Sequence, residues 1–205
     1  IAAPVSVQLG VADGGEMQIV VEVAERAVAV KLWEARVGHV RLFLLDTDLP
    51  ENSERDRGIT HRLYGGDRTT RIEQEIVLGI GGARALAALG MRPTVWHINE
   101  GHAAFLVLER LRELIEGGVE LSSALEAIAS NTVFTTHTPV PAGHDHFPFE
   151  MIERYFHDAC ARIGVTTKQL DAYGTPRGGH EFDMTALAIR GSRFQNGVSR
   201  IHGGV

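Results

Sequence analysis

Thr94-Val-Trp-His-Ile98 runs into Asn99-Glu-Gly-His102, and Val133-Phe-Thr-Thr136 runs into His137-Thr-Pro-Val-Pro141. In each block an apolar, β-branched stretch stops at hydrogen-bonding residues, which is how strands of an open α/β sheet deliver side chains to a ligand crevice. Between them lie two helical patterns, one from about Asn99 to Glu116, closed by Gly117-Gly118, and one from Leu121 to Ser130. Strand, helix, helix, strand is a crossover connection and predicts a parallel sheet.

Upstream, Ile72, Ile76, Leu78 or Gly79, Ala83, Leu86 and Leu89 recur at helical spacing until Gly90 and Pro93 stop the pattern, which predicts a long, largely buried helix. Gly79-Ile-Gly-Gly-Ala-Arg-Ala85 has the outline of a dinucleotide fingerprint. It follows a helical pattern and not a strand, so its small residues are expected to permit close helix packing. Residues 46–69 switch to Asp, Glu, Asn, Pro, Arg and Gly and read as a long surface loop ending in Tyr64-Gly-Gly-Asp67. Before that loop, Met17–Val23, Val28–Trp33 and Val40–Leu45 predict a β-rich entrance, with Gly14-Gly15 as a turn. Downstream, helices are expected over Phe149–Ile163, Thr167–Ala172 and Met184–Phe194, the last running towards Asn196-Gly197. Tyr173-Gly-Thr-Pro-Arg-Gly-Gly179 is the stretch nearest to a linker.

A chain of 205 residues, 44% of them apolar, can bury a substantial core and lacks the composition of a disordered segment. It starts at Ile1 and stops at Val205 directly after a patterned segment, and is expected to be a fragment of a longer polypeptide. A formal net charge of −6 and a pI near 5.9 argue against a nucleic-acid surface, which needs a basic stripe, and are compatible with an uncharged sugar polymer. Lysine occurs only at Lys31 and Lys168. The single Cys160 excludes an intrachain disulfide and, lying in an apolar pattern, is expected to be unreactive. No signal peptide and no apolar run of about eighteen residues is present, which makes a soluble cytoplasmic protein the expectation.

A helix beginning near Asn99 would offer free backbone N–H groups, with Asn99, Glu100 and His102 supplying donors and acceptors; equally, Asn99 could cap that helix and Glu100 complement its dipole. His137 stands where the nearby proline restricts the backbone and can fix the ring, as a site residue or as a hydrogen-bonded structural histidine. Asp67 follows two glycines and is either a mobile-loop acid or a solvated turn residue. Arg71 and Glu75 share a helical face and are expected to pair. Asn196-Gly197 reads as a site segment or an ordinary turn. His137, His144 and His146 with Asp145, and His97 with His102, lack the i, i+4 helical spacing of zinc ligands, so no metal site is expected.

Taken in order, Leu45-Asp-Thr-Asp-Leu-Pro-Glu-Asn52, Arg62-Leu-Tyr-Gly-Gly-Asp67, Arg71-Ile-Glu-Gln-Glu75, the two strand-end blocks and Gln195-Asn-Gly-Val-Ser-Arg-Ile-His202 resemble the α-glucan phosphorylases, the bacterial short type most closely. The resemblance covers most of residues 30–205. It implies an α/β fold: part of the N-terminal Rossmann-like domain of a two-domain glycosyltransferase of the GT-B type, with a parallel-sheet core and a β-rich N-terminal segment. Residues 1–205 would form a partial glucan-binding half, and the pyridoxal-phosphate domain would lie outside the chain. The implied reaction is reversible phosphorolysis of α-1,4-glucan to glucose 1-phosphate with retention. In that family the phosphate of pyridoxal 5′-phosphate, anchored by a lysine, relays a proton to inorganic phosphate. Neither Lys31 nor Lys168 lies in such a motif, so the isolated chain is expected to be inactive.

The same resemblance assigns residues. Asn99, Glu100, Gly101 and His102 match an Asn-Asp-Thr-His-type motif, with Glu100 one methylene longer than Asp and Gly101 in place of Thr. Thr136-His137-Thr138 matches an Asn-His-Thr motif whose histidine hydrogen-bonds the transferred glucosyl unit. Asp67 matches a loop aspartate that gates the site, and Asn196 a site-lining segment. His137 and Asp67 are therefore the expected catalytic residues, and Asn99, Glu100, His102, Thr138 and Asn196 the expected substrate-binding ones. The implied partners are α-1,4-glucan and phosphate, with a homodimer allowed and neither nucleic acid nor membrane expected. A noncatalytic carbohydrate-binding domain and a metal-dependent hydrolase are the alternatives.

Overall fold

Alternation of β-branched and polar residues builds the first layer. The computed structural model describes residues 7–9, 17–63, 66–137 and 144–199. Strands β1 (Val7–Leu9), β2 (Gln18–Val23), β3 (Arg26–Val37) and β4 (Val40–Asp46) form one antiparallel sheet in which β1 and β2 share one edge of β3 and β4 takes the other. Ile19, Val21, Val23, Val28, Val30 and Leu32 turn into the core, while Val20, Val37, Leu42 and Leu44 are exposed, the period-two pattern of a sheet with one packed face. The β-rich entrance is as expected; the Gly14-Gly15 turn lies outside the described residues.

The expected surface loop after β4 is instead pinned. Asn52 imitates a strand partner: Ala29 N donates to its Oδ1 at 2.9 Å, and its Nδ2 donates to Ala29 O at 2.7 Å and Thr47 O at 2.8 Å. Thr47, Leu49 and Ile59 are buried, and a short helix, α1 (Glu54–Arg57), is capped by Ser53.

The predicted long helix exists but is not uniform. It comprises α2 (Arg68–Ile76), a π-helical turn over Val77–Gly81, and α3 (Gly82–Ala88). The glycines explain its close packing. A Cβ on Gly79 would meet Leu106 N at 2.8 Å and Ala103 O at 3.0 Å. Buried Glu73 fixes the position of α2: its Oε1 accepts from Arg26 at 2.8 Å, Arg55 at 2.7 Å and Tyr155 at 2.8 Å.

Next come β5 (Trp96–Asn99), a 3₁₀ turn (Gly101–Ala103), α4 (Leu106–Glu116), α5 (Leu121–Ser130) and β6 (Thr132–Thr136). β5 and β6 pair in parallel, as the crossover predicts. The expected helix start is corrected: Asn99 ends β5 rather than capping a helix, Glu100 adopts φ 59°, and the α-helix begins only at Leu106. Arg110 on α4 fastens the crossover by donating to Thr132 Oγ1 at 2.7 Å and Asn131 Oδ1 at 2.6 Å.

The remainder comprises β7 (His146–Phe147), α6 (Phe149–Arg162), α7 (Thr167–Gly174), β8 (Phe182–Asp183), α8 (Met184–Arg190) and β9 (Phe194–Gly197). α8 stops four residues earlier than expected, and Phe194–Gly197 is a strand, parallel to β6, that completes a sheet of order β5-β6-β9. One face of this sheet is packed, with Ile98 and Phe134 buried. The other leaves His97, Asn99 and Asn196 exposed. Phe105 joins the core to Phe156 and Phe182, with ring centroids 4.6 and 6.1 Å away. Among the described residues no helix is long and apolar enough to cross a membrane.

Candidate functional site at the ends of the parallel strands

Parallel strands point their C-terminal ends one way, so the residues ending β5, β6 and β9 share an edge of the sheet. In register, Asn99 lies beside Thr135 and Thr135 beside Asn196. Glu100 then folds back over this edge. Its N–H donates to Thr135 O at 3.0 Å, and its Oε1 accepts the His137 N–H. A positive φ on a non-glycine residue costs of order 1–3 kcal/mol and persists where surrounding structure holds it; here one neighbour is on β6 and the other, His137, directly follows it. Glu100 is 6% exposed, and its Oε2 is buried without a hydrogen-bond partner. An unmatched acceptor at a polar strand end suits a hydroxyl donor from a ligand.

Gly101 allows the turn that follows. A Cβ there would lie 2.9 Å from Met184 Cβ and 3.1 Å from Thr185 N, so the side chain expected of a threonine has no room. His102 enters a charged cluster built largely on α2. Arg71 Nη2 donates to Asp145 Oδ2 at 2.6 Å and Glu75 Oε1 at 3.2 Å, and His102 Nδ1 lies 3.1 Å from Asp145 Oδ2 and 3.2 Å from Glu75 Oε1. Burial pushes the Glu75 carboxyl up to about 8, against the pull of His102. Hydrogen bonds to Asp145 and then Glu75 raise His102 to about 9. Burial opposes ionisation of Asp145 too, but His102 and Arg71 outweigh it and hold that carboxyl well below its ordinary range.

Glu75, His102 and Asp145 are also the group that, among the described residues, could face one metal ion, with ligand atoms within 4.8 Å of one another. The Arg71 guanidinium already supplies the positive charge between the two carboxylates. The histidines weighed in the sequence do not converge: His144 Nδ1 lies 2.7 Å from Thr185 Oγ1, His146 pairs loosely with Asp183 at 3.8 Å, and His97 points to Thr135.

Asn99, Glu100, His137 and Asn196 thus come together at the strand ends, with His102 next in chain. Thr138 lies outside the described residues. Asp67 caps α2, its Oδ1 accepting from Thr70 N at 2.9 Å and Thr70 Oγ1 at 3.1 Å, so its carboxylate is engaged at the start of this helix. Those bonds, the backbone one first, lower its carboxyl pKa. The preceding Gly66 has φ +92°, and a Cβ on it would clash with Thr70 at 2.6 Å, so this end of the loop is committed to one turn. Sequence reasoning weighed Asp145 only as a metal ligand beside His137, His144 and His146, not as a partner of Arg71 and His102, and it missed Thr135. The spacing of Arg71 and Glu75 announced their pairing, but a partner 74 residues away from Arg71 leaves no local trace. A cavity of about 600 Å³ between the β2–β3 turn, α3, α4 and α6 is remote from these residues, and its arginines Arg26, Arg84, Arg112 and Arg162 are all paired with acids.

No protein-family model matches the chain. It is 44% identical over 95% of its length to a glycogen phosphorylase of Mycobacterium tuberculosis, 43% identical over 92% to a maltodextrin phosphorylase of Thermococcus litoralis, and 34% identical over 93% to a glycogen phosphorylase of Aquifex aeolicus. The chain spans 24%, 22% and 28% of the length of those three relatives.

Proposed function

Over the segment it spans, the chain belongs with the glycogen and maltodextrin phosphorylases, and on that premise we propose that it is the glucan-facing part of an α-1,4-glucan phosphorylase. In this reading residues 1–205 are part of the N-terminal Rossmann-like half of a two-domain, GT-B type glycosyltransferase acting in the cytoplasm. The complete protein phosphorolyses α-1,4-glucan reversibly to glucose 1-phosphate. The observation that carries the reading is the meeting of Asn99, Glu100, His137 and Asn196 at the ends of three parallel strands. Amides, a carboxylate and an imidazole on one rim offer the mixed donors and acceptors that sugar hydroxyls need. His137 is assigned to the transferred glucosyl unit, Glu100 Oε2 to a hydroxyl donor, and Thr138 to the same wall. Asp67 is assigned to the entrance, from the cap of α2.

Pyridoxal phosphate, the family's cofactor, would supply a phosphate group that exchanges a proton with substrate phosphate. The residues here do not fit it. Lys31 sits on β3 with its ammonium 4.5 Å from the Trp33 ring centroid, and Lys168 is on α7, so neither stands at the strand ends. We assign both the cofactor and the substrate phosphate to polypeptide outside this segment. The test is glucose 1-phosphate formation from maltoheptaose and inorganic phosphate. The complete polypeptide should form it and the 205-residue chain should not, because stabilisation of the transferring phosphate is usually the largest catalytic term. Glucan binding by the complete polypeptide without phosphorolysis would establish a noncatalytic sugar-binding protein instead.

A further inference from the structure

A hydrogen-bonded chain crosses all three parallel strands. His97 Nε2 lies 2.7 Å from Thr135 Oγ1, and Thr135 Oγ1 donates to Asn196 Oδ1 at 2.8 Å. These residues sit on β5, β6 and β9. An amide oxygen only accepts, so the one hydroxyl proton of Thr135 is committed to Asn196. Towards His97 the hydroxyl is therefore the acceptor, and Nε2 of that ring must carry a hydrogen. Thr135 is 5% exposed, and its carbonyl receives the Glu100 N–H at 3.0 Å, so the middle of the chain is held in place. With Oδ1 engaged, the donor that Asn196 has left to offer is its NH₂ group, on an exposed residue next to the end of β9.

We propose that Thr135 and His97 are positioning residues for the glucan: they orient the Asn196 amide so that its NH₂ group donates to a hydroxyl oxygen of the bound glucosyl unit. The inference rests on the phosphorylase reading above and assigns a role to two residues that the sugar itself does not touch. A flipped amide would present an acceptor instead, and the hydroxyl would then have to commit its single proton there. Glu100 Oε2 supplies the acceptor on this rim, and Asn196 becomes its complementary donor.

Three variants of the complete polypeptide separate the parts of this chain. T135V keeps the branched shape and loses the hydroxyl, T135S keeps the hydroxyl, and N196D keeps the oxygen that Thr135 bonds but has no NH₂. Maltoheptaose phosphorolysis should show kcat/KM lowered about tenfold in T135V and at least about tenfold in N196D, with T135S within about twofold of wild type. The ¹⁵N shifts of the His97 ring should report Nε2–H in wild type, T135S and N196D, and should lose that preference in T135V. A simple packing role for Thr135 would not move the His97 ring nitrogens. If T135V folds poorly, N196D carries the activity arm at an exposed position. Nδ1–H in wild type, or unchanged kcat/KM in T135V and N196D, overturns the inference. A wild-type protein that forms no glucose 1-phosphate overturns the phosphorylase reading instead; the ring nitrogens and the maltoheptaose affinity of the same proteins then decide the inference.

Discussion

His137 and His102 stand near the same strand ends, and what holds each of them predicts different behaviour. His137 is exposed and anchored through its backbone N–H to Glu100, while its ring has no partner among the described residues. His137→Ala should therefore leave stability within about 0.5 kcal/mol of wild type. If the ring binds the transferred sugar, turnover should fall roughly ten- to a hundredfold, equivalent to about 1.5 to 3 kcal/mol. Melting temperature and turnover measured on one preparation check this, and unchanged turnover would remove His137 from the catalytic residues. His102 is tied into charge. Its pKa is raised from 6.5 to about 9, so the stability it contributes is fully present below about pH 6.5 and is lost as pH rises through 9. Glu75, raised from 4.5 to about 8, also keeps a proton that the unfolded chain releases, and works in the same direction between those values. Asp145, held below its ordinary 3.8, contributes above that value and ceases to on acidification. The melting temperature should fall from pH 6.5 to 9, and His102→Gln should flatten that slope; a slope identical to wild type would show that the cluster does not carry it.

At the scale of elements, the helix through α2, the π turn and α3 contains its own control. Gly79→Ala places a methyl against the backbone of Leu106 and Ala103, and should cost about 1–3 kcal/mol as an overpacked contact. Gly82→Ala has helical φ and ψ and nothing within 4 Å, and should gain about 0.5–1 kcal/mol from backbone entropy. Denaturant midpoints of the two variants should move in opposite directions. The long periodic elements of this fold were legible from sequence because burial imposes period two or 3.6 on many residues at once: β2 to β4, α5, α6 and the β5–β6 crossover fall where the pattern puts them, and α4 ends at Glu116 as expected but starts at Leu106, not near Asn99. The short and tertiary features were not. β9 has only four residues, and its Phe194 is 56% exposed, so no alternation marks it off from the helix before it. The positive φ of Glu100 is held by one bond to Thr135 on β6 and one from His137 just beyond it, and Gly79 in the π turn lies close against the backbone of Leu106; neither contact has a local signal. Asn99, Glu100 and His137 could be found because strand ends in a parallel sheet are predictable places, while Thr135 and Asp145 depend on partners far along the chain.

For the molecule as a whole, the unequal faces of the parallel sheet matter most. Such sheets are normally covered on both sides, yet here Ile98 and Phe134 are buried while Phe194 is 56% exposed, with Val95 at 60% and Val198 at 48% nearby in sequence. The isolated 205-residue chain should bind an apolar dye and self-associate as its concentration rises, and Phe194→Asp should reduce both effects; a monodisperse, dye-silent wild type would show that this face needs no cover. The strand order has a further consequence, in time rather than space. Thr135 and Asn196 are 61 residues apart, so at about 5–20 residues per second a ribosome delivers Asn196 about 3 to 12 s after its partner. During that interval β6 has an open edge, and the Thr135 hydroxyl must bond water or a wrong neighbour. The rim at the strand ends is therefore a late product of synthesis, complete only when the last described strand has emerged.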